Sequence, residues 1–425
     1  MLDIKFIREN PDEVKKGCRK KQISVDIDKL LDLDKKKRVL FQAVEKIRAK
    51  KNKASKEIAK IKGKEKERLI SEMKKVDAKN DRLEKDLKQI EKKLNLFMLE
   101  IPNLPRIDVK EGKDESENEV IKTVGKKTKF AFSPRDYMVI AEKLDLIDVV
   151  RAGKTSGSRF GYLKNEVALL EFAIIQFTFD VLIKEGFIPV VPPVMIKEKS
   201  MGAMGYLAHG GEEETYHFAK DGLYLVGTSE QSIGPMFMNE ILEEKDLPQR
   251  YVSFSTCFRR EAGSYGRDTK GILRVHQFDK VEMFVFTKIE DSDKEHEFLL
   301  SMEERLTQAL KIPYQVVKMC TGDLGNPAAR KYDIECWVPS EEKYRETHST
   351  SNCTDFQARR LNIRYRKKDK GIKFVHTLNG TAFAVGRIII AIIENYQTEE
   401  GNIVIPEVLR KYMNNEKKIP FLSHR

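Results

Sequence analysis

The sequence predicts an α+β protein, with a long antiparallel α-helical hairpin followed by a domain built on a sheet that helices flank. Three observations lead to this prediction. Before residue 100, apolar residues recur in steps of three and four, the heptad spacing of coiled coils. From about residue 120 onward, loops and helices separate strand-like runs such as GLYLVGT, RYVSFSTC and KVEMFVF. Between these regions, IPNLPRIDVKEGKDESEN is polar and contains prolines, as linkers do.

Two heptad seams predict the arms of the hairpin, at about residues 27–99. The first seam, from Leu33 to Ile61, has lysines at two core positions, whereas the second, from Leu69 to Phe97, is more regular. Gly63 lies between them, where a helix would end and the chain would reverse. The pattern leaves open whether the arm dimerises, bridges two bodies or grips a remote partner. A solvated coiled coil whose lysines serve only solubility also fits.

Composition restricts the class of protein. The 425 residues carry a formal net charge of +12, which favours a polyanionic partner, although excess lysine often serves only solubility. The five cysteines lie far apart and form no CxxC pair, and the histidines show no ligand spacing. We therefore expect reduced thiols, a cytoplasmic location and no zinc. The charged N-terminus and the absence of a long apolar run predict neither a secretory signal nor a membrane segment.

The segment FRREAGSYGRDTKGILRVHQFDKVEMF, residues 258–284, has the composition of an anionic nucleotide site. Arginine forks match phosphate oxygens in pairs, and a phenylalanine offers a face for a base. Glycines at 263, 266 and 271 would let the loop bend close to a ligand. The four arginines are Arg259, Arg260, Arg267 and Arg274. Their spacing alone is equally compatible with a solvated hairpin.

This segment resembles motif 2 of the class II aminoacyl-tRNA synthetases, in the wording of seryl-tRNA synthetases. The resemblance continues in GTSEQS at 227–232 and YRETHSTSNCTDFQARR at 344–360. GFIPVVPPVM at 186–195 is similar to motif 1, and TLNGTAFAVGRIIIAIIENYQ at 377–397 is similar to motif 3. With the similar opening MLDIKFIRENPDEVKKG, the resemblance covers essentially the whole chain.

The resemblance implies a tRNA-binding arm domain at residues 1–111, with a linker at about 100–118, and a catalytic domain with an antiparallel sheet at 112–425. It implies a homodimer formed through motif 1. The implied reaction uses ATP and L-serine to form a seryl-adenylate, releases pyrophosphate, and then esterifies tRNA(Ser), with release of AMP. Charging of tRNA(Sec) is also implied, and Mg²⁺ is expected with ATP.

Motif position, carried over from the family, assigns residues to ATP. Arg259 would clamp the α-phosphate and bridge to the serine carboxylate, Glu261 would meet the adenine amino group, and Phe278 would stack on adenine. Arg274 and Arg387 would hold the β- and γ-phosphates. The catalytic set is Arg259, Glu261 and Arg387. The whole ATP set is Arg259, Arg260, Glu261, Arg274, Val275, Phe278, Glu346, Thr347, His348, Ser349 and Arg387, in which Glu346 and Ser349 would hold Mg²⁺.

The implied serine site is small and polar. Glu230 would take the substrate ammonium group, and Glu282 with a hydroxyl partner would take the seryl hydroxyl. Such a site rejects alanine because its polar groups would be left unpaired, whereas threonine must be excluded by size. The assigned residues are Thr228, Ser229, Glu230, Arg259, Glu282 and Thr381.

Three motifs assigned to the site differ from the sequences common in the family. Thr381 replaces a common serine, ETHS at 346–349 replaces EISS, and TSEQS replaces TAEVP. A lone histidine makes no metal site, so we expect His348 to be packed or solvated rather than a ligand. The loop at 206–222 is equally compatible with a mobile flap and a solvated connection.

Two alternative functions fit the sequence less well than the synthetase does. A catalytically silent, RNA-binding paralogue would not need the charged residues Arg259, Glu261, Glu346 and Arg387, all of which are present. An amino-acid ligase for a carrier protein would give the long arm nothing to grip.

Overall fold

The architecture is that of a computed structural model, which describes residues 1–262, 270–368 and 371–420. The chain forms two compact units. The helical unit is Leu2–Pro102, and the sheet unit is Asn103–Arg425 together with Met1. The boundary expected between functional domains, at residues 111 and 112, stays a prediction.

Helices build the helical unit, and two of them are long. They are α1 (Ile4–Glu9), α2 (Pro11–Lys20), α3 (Ile27–Ile58) and α4 (Lys64–Glu100). Ion pairs join Lys37 to Glu91 at 3.3 Å and Lys51 to Asp77 at 2.6 Å. Because a later residue of α3 meets an earlier residue of α4, the two helices are antiparallel. The predicted hairpin is confirmed.

Local sequence accounts for the reversal and the seam of this hairpin. Gly63 directly precedes α4 at φ 75°, a left-handed conformation that costs glycine little. Val44 and Leu94 are buried at the seam positions. Asn80 is also buried, but it donates its hydrogen bond of 2.9 Å to Glu84 of the same helix rather than across the hairpin.

The sheet unit alternates strands and helices. Its helices are α5 (Tyr137–Lys143), α6 (Val149–Ser156), α7 (Asn165–Lys184), α8 (Glu198–Met204), α9 (Glu230–Ile233), α10 (Ser292–Ala309), α11 (Phe356–Leu361) and α12 (Val385–Asn395). Its strands are β1 (Glu119–Val124), β2 (Ile147–Asp148), β3 (Tyr162–Leu163), β4 (Ile188–Val190), β5 (Met195–Lys197), β6 (His217–Phe218), β7 (Leu223–Leu225), β8 (Ile241–Glu243), β9 (Gln249–Phe258), β10 (Gln277–Thr287), β11 (Tyr314–Lys318), β12 (Arg330–Val338), β13 (Lys343–Asn352), β14 (Arg364–Lys367), β15 (Gly371–Phe374), β16 (His376–Ala384), β17 (Ile403–Val404) and β18 (Lys418–Ile419).

One large sheet organises this unit. In the described ranges its eight strands lie in the order β1-β11-β12-β13-β16-β10-β9-β4. Neighbouring strands are antiparallel except at one edge, where β4 pairs parallel to β9. The predicted antiparallel sheet flanked by helices is thus confirmed, as a mixed sheet with one parallel edge pair.

The two faces of the central strands differ in character. Apolar residues of β10, β12 and β16 pack with α7, α10 and α12 into the main core. Along β16, Gly380 lies against Glu303 of α10, while the next residue, Thr381, lines a cavity on the other face. Within the three described ranges, no helix is both long and apolar enough to cross a membrane.

Candidate active site

A cavity of about 640 Å³ lies over β10, β12, β13 and β16 and is closed on one side by the loop at 206–222. It brings together residues that are far apart in the sequence. The predicted site residues that line it are Thr228, Glu230, Arg259, Glu261, Arg274, Val275, Phe278, Glu282, Glu346, Thr347, His348, Ser349, Thr381 and Arg387. Tyr206 and Thr215 of this loop line the cavity. A flap over the site would have to lie there, and the flap interpretation stays a prediction.

Motif 2 forms one wall of the cavity. Arg259 donates from Nε to the carbonyl oxygen of Gly227 at 3.1 Å, and its guanidinium group lies 5.3 Å from the ring centre of Phe278. Arg274 pairs with Glu261 at 3.3 Å. This wall therefore presents two cations, one carboxylate and one aromatic face, which are groups that suit a nucleotide.

A pair of buried carboxyl groups lies at the base of the cavity. Burial, followed by the charge of the neighbouring Glu282, raises the pKa of Glu230 to about 8. Burial also raises the pKa of Glu282, against the opposing effect of Lys280, whose Nζ lies 2.5 Å from Glu282 Oε2. Burial thus favours the protonated form of each carboxyl group, and their proximity couples the two titrations.

Hydroxyl groups complete this part of the cavity. Thr381 donates from Oγ1 to Glu282 at 3.3 Å, and Lys280 donates to Thr228 Oγ1 at 3.0 Å. The result is a small polar pocket with donors and acceptors held in place by neighbouring strands. Its chemistry suits an amino acid that carries a short hydroxylated side chain.

Glu346 and Arg387, which also line the cavity, form an ion pair. Arg387 Nη1 lies 2.9 Å from Glu346 Oε2 and also donates to the Glu346 carbonyl oxygen at 3.1 Å. Burial would raise the pKa of Glu346, but the charges of Arg387 and Lys331 outweigh it and lower the pKa to about 2. The carboxylate is therefore ionised, and 44% of its side chain remains exposed to the cavity.

A β-bulge determines which residues of β13 face the cavity. Glu346 pairs with Glu335 and His348 with Ile334, so that Thr347 is an extra residue between them. In a regular strand, Glu346 and Ser349 would point to opposite faces, because side chains alternate and the two residues are three positions apart. The bulge places both on the cavity face, where Ser349 also bonds to Asp333.

Thr347 and His348 border the cavity, but their side chains engage the protein interior. Thr347 Oγ1 donates to the Ile334 carbonyl oxygen at 3.2 Å. The His348 ring packs 5.0 Å from that of Phe383, and its Nε2 lies 3.3 Å from Thr307 Oγ1. His348 is thus a packed residue, and the ATP contact assigned to both positions stays a prediction.

Ser229 and Arg260 do not line the cavity. Ser229 is buried and shares a hydrogen bond of 2.7 Å with Ser253. Arg260 is exposed, and its guanidinium group lies 5.7 Å from the ring centre of Tyr216. The assignment of Ser229 to serine binding and of Arg260 to ATP binding therefore stays a prediction, and neither residue is part of the cavity wall. Arg267, with Gly263 and Gly266, lies outside the described residues.

The chain matches known proteins along nearly its whole length. Residues 1–105 match the family model of the seryl-tRNA synthetase N-terminal domain, and residues 216–396 match that of the tRNA synthetase class II core domain (G, H, P, S and T). The serine–tRNA ligase of Dictyoglomus thermophilum is 46% identical over 416 residues, which cover 97% of this chain and 98% of that protein. The chain belongs to the seryl-tRNA synthetase family.

Solved structures of the seryl-tRNA synthetase family agree. A crystal structure of seryl-tRNA synthetase from Pyrococcus horikoshii complexed with ATP superposes with a TM-score of 0.90, at 41% identity and 99% coverage of each chain. The cytoplasmic serine–tRNA ligase of Naegleria fowleri in complex with AMP gives 0.87, at 32% identity and the same coverage. This chain is thus an ATP-using class II aminoacyl-tRNA synthetase of the serine–tRNA ligase type.

Sequence reasoning missed two lysines of this seryl-tRNA synthetase site. Lys280 contacts both Glu282 and Thr228, and Lys331 lines the cavity beside Glu346. The alternation of β10 could have found Lys280, because it lies between Phe278 and Glu282 on the same face of one strand. Lys331 belongs to a strand with no motif of its own, so no comparable signal was present.

Proposed function

We propose that the protein attaches L-serine to tRNA(Ser) in two steps, through a seryl-adenylate. The observation that carries this proposal is the adjacency, in one cavity, of the hydroxyl-bearing carboxyl pocket and the arginine-rich wall of motif 2. In the first step the serine carboxylate attacks the α-phosphorus of ATP and pyrophosphate leaves. In the second, a hydroxyl of the terminal tRNA adenosine attacks the serine carbonyl carbon and AMP leaves.

Serine binding is assigned to the polar pocket. Glu230 accepts from the substrate ammonium group, and Glu282 with Thr381 binds the seryl hydroxyl. An alanine side chain would leave these buried groups unpaired, which is the stronger form of discrimination. The threonine methyl group would meet the side chain of Thr381, so threonine is rejected by lack of space.

ATP binding is assigned to the motif 2 wall and the start of α12. Arg259 clamps the α-phosphate and neutralises charge that builds there in the transition state. Phe278 stacks on adenine, beside Val275, and Glu261 accepts from the adenine amino group. Arg274 and Arg387 hold the β- and γ-phosphates, on which each can bond two oxygens at once.

The cavity also fits a magnesium ion bound together with ATP. Glu346 is ionised and shares a cavity face with the Ser349 hydroxyl, and oxygen ligands of this kind suit Mg²⁺. Within the described ranges, no group of three or more His, Cys, Asp or Glu could hold a metal by itself. Such a site would share the ion with phosphate oxygens and water. Mg²⁺ bound there would neutralise charge between the phosphates.

The helical unit is assigned to tRNA. Lys46, Lys50 and Lys53 are exposed on α3 at spacings of four and three, which places them along one side of the helix. A basic stripe of this kind contacts phosphates and reads the shape of an RNA rather than its bases. The proposal extends to tRNA(Sec), and the site of action is the cytoplasm.

A homodimer is part of the proposal. Large apolar side chains are exposed on motif 1 and on the preceding helix α7, with Phe172 67% and Val191 79% exposed; Leu169, Ile188 and Met195 are exposed too. Exposed apolar surface concentrated in one part of a chain favours association with a partner. Light scattering coupled to size exclusion would measure the mass of the particle.

Amino-acid-dependent ATP/pyrophosphate exchange tests the activity directly. It should be run without tRNA, with serine, threonine, alanine or glycine as the only amino acid. We expect exchange with serine alone. Exchange with another amino acid would show that serine is not the only substrate, and it would contradict the role proposed for Thr381 in selecting serine. No exchange from folded protein would support a catalytically silent paralogue.

A further inference from the structure

We propose that His276 is a positioning residue that fixes the backbone of Arg259 and couples it to the loop at 206–222, called here the flap. This inference rests on the proposed function, since the role of Arg259 is defined by serine activation. His276 belongs to none of the sets of residues assigned above to ATP, serine or Mg²⁺.

His276 binds both backbone polar groups of Arg259. The Arg259 N–H donates to the His276 carbonyl oxygen at 3.0 Å. The His276 ring nitrogen Nδ1 lies 3.0 Å from the Arg259 carbonyl oxygen. Because a carbonyl oxygen only accepts, Nδ1 must carry the proton and donate. One residue thus holds Arg259 at two points, just beyond the last paired residues of β9 and β10.

The His276 ring is itself held by two separate segments. The Phe160 ring lies 5.4 Å away, and the Tyr216 ring of the flap meets it edge-on at 6.3 Å and 90°. The backbone N–H of His276 also donates to the Arg159 carbonyl oxygen at 2.9 Å, which ties the residue to the segment that contains Phe160. A movement of either segment therefore acts on the imidazole that bonds to Arg259.

The flap and the segment before β3 also touch motif 2 beside Arg259. The Arg260 N–H donates to the Glu214 carbonyl oxygen of the flap at 3.0 Å. Arg159 donates from Nη1 to the Glu261 carbonyl oxygen at 3.1 Å. Arg159 and Glu261 both have positive φ, 60° and 51°, which is unfavourable for residues with a side chain. The surrounding contacts must hold these conformations.

The consequence concerns the Arg259 side chain. Its Nε donates to the Gly227 carbonyl oxygen, directly before Thr228 in the serine pocket. Arg259 therefore lies between the flap contacts of His276 and the substrate groups that it must align. A small displacement of a catalytic group can lower the rate by about 100-fold. Closure of the flap on a bound substrate would tighten the contacts that place Arg259.

Two substitutions separate the two functions of the imidazole. His276→Asn keeps a side-chain N–H near the position of Nδ1 but removes the ring that Phe160 and Tyr216 contact. His276→Phe keeps an aromatic ring and removes the donor. Tyr216→Ala leaves the imidazole in place and removes the flap ring that contacts it, together with the contact of that ring with Arg260. His217→Asn is the matched control, because this exposed histidine is also in the flap but stacks on Tyr224, at 4.2 Å, rather than on His276.

Serine-dependent ATP/pyrophosphate exchange, with kcat and KM measured separately, provides the test. His276→Phe should lower kcat by about 100-fold, with a much smaller change in the KM for serine or the KM for ATP. His276→Asn should retain about one tenth or more of kcat and share its remaining defect with Tyr216→Ala, so that the double variant is no worse than the poorer single variant. His217→Asn should behave as the wild type, and thermal unfolding would show that each variant is folded.

The outcomes distinguish this inference from the proposed function. If the wild type and His217→Asn exchange with serine while folded His276→Phe retains wild-type kcat, His276 does not position Arg259. If His276→Phe fails to fold, additive effects of His276→Asn and Tyr216→Ala would refute the coupling to the flap. If the wild type itself shows no exchange, the assigned activity is wrong instead.

Discussion

Glu346 and Ser349 face the same cavity although they are three residues apart on one strand. The bulge at Thr347 is the reason, because it inserts one residue into the alternation between them. Glu346 is then held by its 2.9 Å ion pair with Arg387. This arrangement orients a carboxylate, a hydroxyl and a guanidinium group toward one volume, in which ATP and Mg²⁺ are proposed to bind.

Replacing Glu346 with glutamine should lower serine-dependent exchange by at least about 100-fold, because a metal ligand and the partner of Arg387 are lost together. The concentration of Mg²⁺ required for half-maximal exchange should also rise, which a magnesium titration measures. Glu341→Gln is the control, because Glu341 pairs with Arg345 away from the cavity. An unchanged magnesium requirement would argue against Glu346 as a ligand.

Arg259→Ala should lower adenylate formation by about 100-fold to 1,000-fold, because a cation that stabilises charge on the α-phosphate is lost. Thermal stability should change little, since Arg259 forms no buried ion pair with the residues that the structure describes. Arg259→Lys should recover only part of the rate, because an ammonium group cannot bond two oxygens as a fork. Single-turnover formation of the adenylate measures the step. A near-normal rate of adenylate formation in Arg259→Ala would contradict the role assigned to Arg259.

Removal of the hairpin, roughly Leu31 to Met98, with a short linker joining the ends, should abolish tRNA charging and spare serine activation. The antiparallel course of α3 and α4 makes such a junction possible, and the sheet unit contains all the residues that line the cavity. Aminoacylation and pyrophosphate exchange are measured on the same preparation. Loss of activation in a variant that still folds would show that the two activities are not separable in this way.

Thr381→Ser should weaken discrimination against threonine while serine activation is retained. The hydroxyl that donates to Glu282 remains, and the lost methyl group makes room for that of the substrate. One methyl group commonly contributes about 1 to 3 kcal/mol, so threonine activation relative to serine should rise by about 10-fold or more. The ratio of kcat/KM values in exchange measures it. Thr377→Ser, on the same strand but bonded to Gln357, should leave the ratio unchanged.

Glu303 should make stability depend on pH. It is fully buried, and neither carboxyl oxygen has a hydrogen-bond partner among the described residues. Burial, with repulsion from Glu282 and Asp333, raises the pKa of Glu303 well above its usual value. The folded protein thus keeps a proton that the unfolded chain loses above about pH 4.3. This group therefore lowers the free energy of unfolding as pH rises from there toward its folded pKa.

Glu303→Gln removes this titration, so its stability relative to the wild type should increase steadily between pH 5 and pH 8. Denaturant unfolding at several pH values measures the difference. Glu142→Gln is the control, because Glu142 is exposed on α5. Its free energy of unfolding relative to the wild type should not show the same steady increase with pH. A constant difference for Glu303→Gln would mean that the carboxyl group has a partner and is ionised in the folded state.

Much of the architecture followed from local patterns. The heptad seams predicted both arms of the hairpin, because the spacing of apolar residues along a helix directly determines its buried side. Gly63 marked the reversal for a similar local reason. The motif residues Arg259, Phe278 and Arg387 meet in one cavity, as the resemblance implied. Ser229 and Arg260 have motif positions too, yet they lie outside the cavity wall, because neighbouring residues of a motif point in different directions.

The sequence by itself determined the helical hairpin, the strands and the family, since these depend on the order of residues along one chain. Only the tertiary structure decided which side chains share the cavity. The bulge at Thr347 depends on how β13 pairs with β12, and the contact of Lys280 with Thr228 joins β10 to a loop that is distant in sequence. The burial that raises the pKa of Glu230 likewise exists only after the sheet has formed.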